Sequence, residues 1–264
     1  MRALLVLSLF AVSFAVSAAP RADKIGWSYG GKDFDGYLIW DDASKALRPG
    51  LLMTPPWYGI TDSQIADAKT IAGKEFVVLL VDMYGRGVRP TNPDEAGKAA
   101  GAVYADPAML RGRIETALAT LRAVGKKAPV DQKRIGAIGF CFGGAVSLEL
   151  ARSGADIAGV ASFHGNLKTK LPAGKGGMKA RVLAMNGADD TFVKAEDIAN
   201  FQSEMRDAGA DWQFVNFGGA VHCFAVPEEH GALPGCQYHE PSYRRSMLMM
   251  RNFFAEAFAQ AAKP

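Results

Sequence analysis

Three short stretches of the chain carry side chains whose types and order suit covalent catalysis. Residues 139–144 read GFCFGG, between the apolar run RIGAIGF and the segment AVSLELARSG. A strand that passes straight into a helix leaves only a tight turn, and the residue at its apex is strained with its side chain pushed outward. Small neighbours are needed there, and Gly139 and Gly143, two before and two after Cys141, supply them. The same position sets the Cys141 sulfur at a helix N-terminus, where the backbone dipole favours thiolate over thiol. An unperturbed thiol with a pKa near 8.5 is only about 3% ionised at neutral pH, so even a modest bias matters. A buried structural cysteine is the bland alternative, and two further stretches weigh against it. NGADDTFV presents Asp189 and Asp190 after one apolar run, and GGAVHCF presents His222 after the next.

In that constellation the Cys141 sulfur attacks an acyl carbon, His222 takes a proton and later returns it, and an acid fixes the imidazole tautomer. Asp190 is the expected acid, with Asp189 left to cap the turn or the helix that follows. The tetrahedral intermediate needs donors aimed at its oxyanion, each worth roughly 3 kcal/mol. One is the backbone N–H of Phe142, the residue after the nucleophile. In the loop TPPWYG, Pro55 and Pro56 have no N–H to give, so the second donor falls to Trp57, whose ring can also wall a pocket. His164, in SFHGN, ends another strand and reads as a satisfied structural histidine. The four histidines and the cysteines make no recognisable metal spacing, so no metal and no cofactor are expected.

The elements that must hold these residues follow from periodicity. WSYGGKDFDGYLIW reads as two strands around a Gly-Gly turn, an antiparallel hairpin at a sheet edge. GLLMTPP, EFVVLLVD, RIGAIGF, IAGVASFHG, RVLAMNG and WQFVNFG are apolar runs without polar alternation, as strands buried on both faces require. Helix-length segments separate them, giving a mostly parallel central sheet with helices on both faces. Residues 62–73 have helical spacing, and Asp106 and Pro107 open a helix that ends before Gly125. The AVSLELARSG helix stops at Gly154, and a last helix from about Ser242 to Ala261 presents Met247, Met250, Phe254 and Phe258 as packing residues. Residues 171–180 read as a surface loop.

The whole chain sets outer limits. Its 264 residues, 49% of them hydrophobic, can bury a large core, and its net charge of +3 is scattered, which speaks against a nucleic-acid partner. Residues 1–18 have the layout of a cleavable secretory signal, with Arg2, a short apolar run and small residues at Val16-Ser17-Ala18, leaving 19–264 as one domain. The expected location is periplasmic or secreted, with no membrane association after signal removal. An oxidising compartment favours disulfides, and three cysteines leave one over. Cys223 and Cys236, close in sequence, are the expected pair, which leaves Cys141 free; the rival pairing, Cys141 with Cys223, disables the thiol.

The stretches GFCFGG, VDMYGRG, FHGNL, GADDTFV and GGAVHCF together resemble the dienelactone hydrolase family of α/β hydrolases, from about Gly50 to the C-terminal helix. The order Cys, Asp, His is similar to the nucleophile, acid and base order of that superfamily. The resemblance implies an α/β-hydrolase fold with Cys141, Asp190 and His222 as triad, Trp57 and Phe142 as oxyanion donors, and Arg86 facing a substrate carboxylate. Tyr58 is counted with Arg86 as a substrate contact. One departure is visible: Pro56 stands where well-studied members carry an acidic residue beside the resting thiol. The expected function is an exported hydrolase of small esters or lactones working through an acyl-cysteine, as a monomer or weak homodimer. A thiol redox protein, sensing peroxide, and a non-catalytic ligand-binding protein on the same fold are the alternatives.

Overall fold

The computed structural model describes residues 20–261; the expected signal at 1–18 lies outside them. Strands β1 (Arg21–Tyr29) and β2 (Lys32–Trp40) form the antiparallel hairpin, turned by Gly30 and Gly31, both at positive φ. Then come β3 (Arg48–Thr54), α1 (Asp62–Ala72), β4 (Val77–Leu80), α2 (Pro93–Ala105), α3 (Pro107–Arg122) and β5 (Val130–Phe140). The chain continues through α4 (Phe142–Arg152), β6 (Gly159–Phe163), β7 (Arg181–Gly187), α5 (Ala195–Ala208), β8 (Trp212–Phe217) and α6 (Glu240–Ala261). The eight strands form one sheet in the order β1-β2-β4-β3-β5-β6-β7-β8. From β4 through β8 neighbouring strands are parallel, and β2 joins β4 antiparallel.

Parallel neighbours demand crossover helices, and the helices cover both faces. Alternation along the strands divides the core accordingly. Leu52, Ala137, Val160 and Val182 pack with α2, α3, α4 and α5, while Leu51, Met53, Ile138, Ala161 and Leu183 pack with α1 and α6. On α6, Met250, Phe254 and Phe258 are buried, and Phe254 and Phe258 stack at 5.2 Å. Each such aromatic contributes roughly 2–3 kcal/mol by its burial. Met247, on the same stripe, is only half-buried.

Two boundaries differ from the sequence reading. Helix α2 was not anticipated, although Asn92 caps it by accepting from the Glu95 N–H at 3.0 Å and Pro93 stands in its first turn. It ends at Asp106, which at once caps α3 by accepting from the Met109 N–H at 2.9 Å. Helix α6 starts at Glu240, a half-turn before Ser242, because Pro241 fits a first turn. No helix among the described residues is long and apolar enough to cross a membrane.

Candidate active site

Between β5 and α4 there is a single residue, Cys141, with φ 52° and ψ −115°. Such a conformation costs a non-glycine residue on the order of 1–3 kcal/mol, which the surrounding backbone must hold in place. The Cys141 N–H donates to the Phe163 carbonyl at 3.0 Å, and its own carbonyl accepts from Gly144 at 3.0 Å. The glycines are required by contact. A Cβ on Gly139 would lie 2.0 Å from the Gly143 carbonyl oxygen, and one on Gly143 would lie 2.0 Å from that of Thr54 at the end of β3. The close approach brings the loop after β3 up to the start of α4, so Trp57 and Phe142 both line the pocket in front of Cys141.

Asp190 and His222 arrive from the carboxyl ends of β7 and β8. The Asp190 side chain is 0% exposed, and its two oxygens divide their work. Oδ1 accepts from the Phe192 and Val193 N–H groups at 2.8 and 3.2 Å, closing the turn, and Oδ2 accepts from His222 Nδ1 at 2.8 Å. On the far side of the ring, Nε2 lies 3.1 Å from Cys141 Sγ. Burial opposes a charge on His222, but its hydrogen bonds to Asp190 and Cys141 and the charges of both prevail, raising its pKa to about 10. The imidazole is therefore charged at neutral pH, with Nδ1–H fixed on Asp190 and Nε2–H directed at sulfur. No carboxylate stands between them at Pro56, so the histidine meets the thiol directly. Asp189 takes no capping role: its side chain is exposed, and Asp197 holds the start of α5 by accepting from the Lys194 N–H at 3.2 Å.

Cys223 and Cys236 are joined by a disulfide, Cα to Cα 4.9 Å, and Cys141 is a free thiol. The alternative Cys141–Cys223 pairing is thereby ruled out. The bridge starts one residue after His222, where Cys223 has φ 62°, and the His222 carbonyl accepts from the Gln237 N–H at 2.9 Å. The disulfide thus ties the strand end carrying His222 to the 233–237 segment. Both sulfur-bearing residues also line the pocket, which has a volume of about 300 Å³. Trp57, Tyr104, Phe192, Val193 and Leu233 make its walls largely apolar, with Asn166 at one side.

Three residues of this site carry no expectation from the sequence, although Tyr84 and Phe192 stand inside the stretches VDMYGRG and GADDTFV. The Tyr84 hydroxyl donates to the Trp57 carbonyl at 2.7 Å and pins the loop that carries the expected oxyanion donor. Tyr104, on the unanticipated α2, packs edge-on to Phe142 at 5.3 Å and walls the pocket. The Phe192 ring lies 5.0 Å from that of His222 and is half exposed. For both tyrosines burial is the main cause, with the Cys141 charge second, of a pKa pushed above the usual phenol value, so both remain protonated donors.

Other expectations are corrected. Arg86 does not face the pocket. Its backbone N–H is tied to the Asp33 carbonyl at 2.7 Å, and its side chain, 56% exposed, pairs with Asp33 and Asp35 on β2 at 3.0 and 2.9 Å. Two carboxylates on the neighbouring strand outcompete the site for the guanidinium. Tyr58 packs edge-on to Trp57 at 5.4 Å and is not among the residues lining the pocket. His164 is buried but not satisfied. It is 0% exposed at φ 41°, and neither ring nitrogen has a hydrogen-bond partner. Its ring meets that of His222 edge-on at 4.9 Å, and burial, together with the His222 charge, pushes its pKa well below the ordinary value. Spacing in sequence excluded a metal grouping, yet the fold brings ligand atoms of Cys141, His164 and His222 within 4.8 Å of one another.

The dienelactone hydrolase family model matches residues 34–258. A promiscuous phosphotriesterase of dienelactone hydrolase-like type from metagenomic libraries is 33% identical, with a TM-score of 0.85 over 91% of this chain and 99% of its own. A dienelactone hydrolase of Anabaena variabilis shares the fold at 18% identity, with a TM-score of 0.61 over 89% of this chain and 99% of its own. A Caenorhabditis elegans protein without an assigned activity is 37% identical over 158 residues, 57% of this chain and 95% of its own length.

Proposed function

Since the chain belongs to the dienelactone hydrolase family, whose members are hydrolases of small esters, we propose that it cleaves a small, uncharged ester or lactone through an acyl-cysteine intermediate. The observation that carries this reading is the chain of contacts from Asp190 Oδ2 through the His222 ring to Cys141 Sγ, at 2.8 and 3.1 Å. Sulfur, facing the imidazolium, attacks the acyl carbon, and the carbonyl oxygen takes the negative charge opposite the Trp57 and Phe142 N–H groups. Among the described residues neither N–H donates to a backbone carbonyl, so both are free for an oxyanion. His222 then gives its proton to the leaving alcohol, accepts one from water, and the hydroxide formed hydrolyses the thioester. Sulfur then leaves as thiolate, the imidazolium keeps the proton it took from water, and the acid product gives its own proton to solvent, so the resting pair is restored with Asp190 ionised throughout.

An uncharged substrate follows from the pocket. Its walls are aromatic and aliphatic, and Arg86, the cation that would meet a carboxylate, is turned to Asp33 and Asp35. A volume of about 300 Å³ suits an acyl or aryl group of one ring rather than a long chain. Export is the proposed location: the layout of residues 1–18 and a disulfide beside the base both fit an oxidising compartment.

Pre-steady-state hydrolysis of a nitrophenyl ester tests the reading. One equivalent of nitrophenol should appear in a burst before the slower steady rate, and Cys141→Ala should abolish both. Full activity in Cys141→Ala would refute the mechanism.

A further inference from the structure

We propose that Cys141, His164 and His222 together form a binding site for one zinc ion, and that filling it shuts the enzyme off. The loss of activity rests on the hydrolytic reading above; the binding itself does not.

The donor set is one sulfur and two imidazoles whose ligand atoms already lie within 4.8 Å of one another. Around a tetrahedral zinc with Zn–S near 2.3 Å and Zn–N near 2.0 Å, such atoms stand roughly 3.3–3.6 Å apart. Cys141 and His222, at 3.1 Å, need only part slightly, and His164, within 4.8 Å of both, must close by at most about 1.5 Å.

His164 is the residue that makes this more than a thiol beside a histidine. It is 0% exposed, it abuts the His222 ring at 4.9 Å, and neither of its nitrogens has a partner. An unpaired buried polar group costs about 1–3 kcal/mol, a cost that coordination would remove. Zinc takes neutral imidazole, which is the state that burial imposes on this ring. The outer shell is also in place. Asp190 accepts from His222 Nδ1 at 2.8 Å, the carboxylate–histidine arrangement that orients a ligand and strengthens it as a donor. Cys141 and His222 both line the pocket, so the ion has a route in, and a fourth position is left for water or a small anion.

The balance is simple. Zinc replaces the single proton shared by Cys141 and His222, forming one Zn–S and two Zn–N bonds, and that proton passes to buffer. Nothing is oxidised or reduced. With sulfur and Nε2 both occupied, neither nucleophile nor base is left.

The test uses the full chain without added thiol reductant, titrated with Zn²⁺ and, in parallel, with Co²⁺, while nitrophenyl ester hydrolysis is followed. One equivalent should bind, releasing one proton, with a thiolate-to-cobalt charge-transfer band and inhibition in step. X-ray absorption of the zinc form should count one sulfur and two imidazole nitrogens. His164→Gln should hydrolyse ester within a few-fold of wild type and require about 100-fold more zinc for half inhibition. Equal zinc sensitivity in both proteins, or a coordination shell holding one imidazole, would overturn the proposal, and the absorption measurement does so even if His164→Gln fails to fold. Hydrolysis indifferent to zinc sinks the zinc site and spares the hydrolase reading. A cobalt–thiolate band in a protein that cleaves no ester does the reverse.

Discussion

Asp190→Asn isolates the acid of the constellation with almost no change of shape. The buried carboxylate has two duties: Oδ1 accepts from Phe192 and Val193, and Oδ2 from His222. The asparagine carbonyl can keep the first duty, so the turn should hold. Its NH₂ group then points at His222 Nδ1, donor against donor, and the ring must turn its lone pair that way and carry its proton on Nε2. A neutral ring of that tautomer cannot take the thiol proton. The rise of His222 to about 10 corresponds to about 5 kcal/mol in favour of the imidazolium, supplied by Asp190 and Cys141 against burial. Losing the Asp190 hydrogen bond and charge should lower that pKa. The same exchange in Ser-His-Asp triads costs about 10⁴ in kcat, roughly 5 kcal/mol, and a loss of 10³ to 10⁴ is expected here. Steady-state kinetics measure it, and ¹⁵N NMR of the imidazole reports tautomer and pKa. Stability adds a signed check. His222 is raised on folding, so its contribution is complete below about pH 6.5 and drains away as pH climbs towards about 10. Urea unfolding of the wild type should weaken across that window, and Asp190→Asn should flatten the slope. A variant with kcat within tenfold of wild type, and His222 still titrating near 10, would refute the reasoning.

Opening the disulfide, by reduction or as Cys223→Ser with Cys236→Ser, should cost about 3 kcal/mol from the 13-residue separation and lower kcat as well, because the bridge anchors the base; unchanged kcat at a lowered unfolding midpoint would leave it a staple only. Gly143→Ala puts a methyl 2.0 Å from the Thr54 carbonyl and should cost more than about 2 kcal/mol in thermal unfolding, with activity lost alongside. Arg86→Ala, removing a side chain paired only with exposed β2 carboxylates, should leave KM for a neutral ester within twofold; a large rise in KM would return it to the pocket.

The fold, and the meeting of Cys141, His222 and Asp190, were legible because both are written locally. Buried parallel strands appear as unbroken apolar runs, and the elbow appears as glycines at fixed offsets whose need is steric, as at Gly143 against Thr54. Helix α2 carries Asn92-Pro93 as a start signal and buries Ala96, Ala100 and Val103, but Gly97 and Gly101, poor helix formers, mask it in the sequence. Where a side chain points is set by partners distant in sequence. Arg86 follows a strand end as expected, but its direction is set by Asp33 and Asp35, which lie some fifty residues earlier in the chain. His164 follows a strand end too, and nothing near it in sequence tells that its ring would stand unpaired beside His222. The division of Asp190 into a turn-closing and a base-holding oxygen was likewise invisible until the turn had a shape.

The most direct measurement is the mass of the enzyme itself, quenched in acid during turnover of a slow ester and then digested. Attack by an imidazolium-paired sulfur at the mouth of β5 predicts the substrate's acyl mass on one peptide, at Cys141, disappearing as product accumulates. Turnover with no adduct, or an acyl group carried by any other side chain, would contradict it.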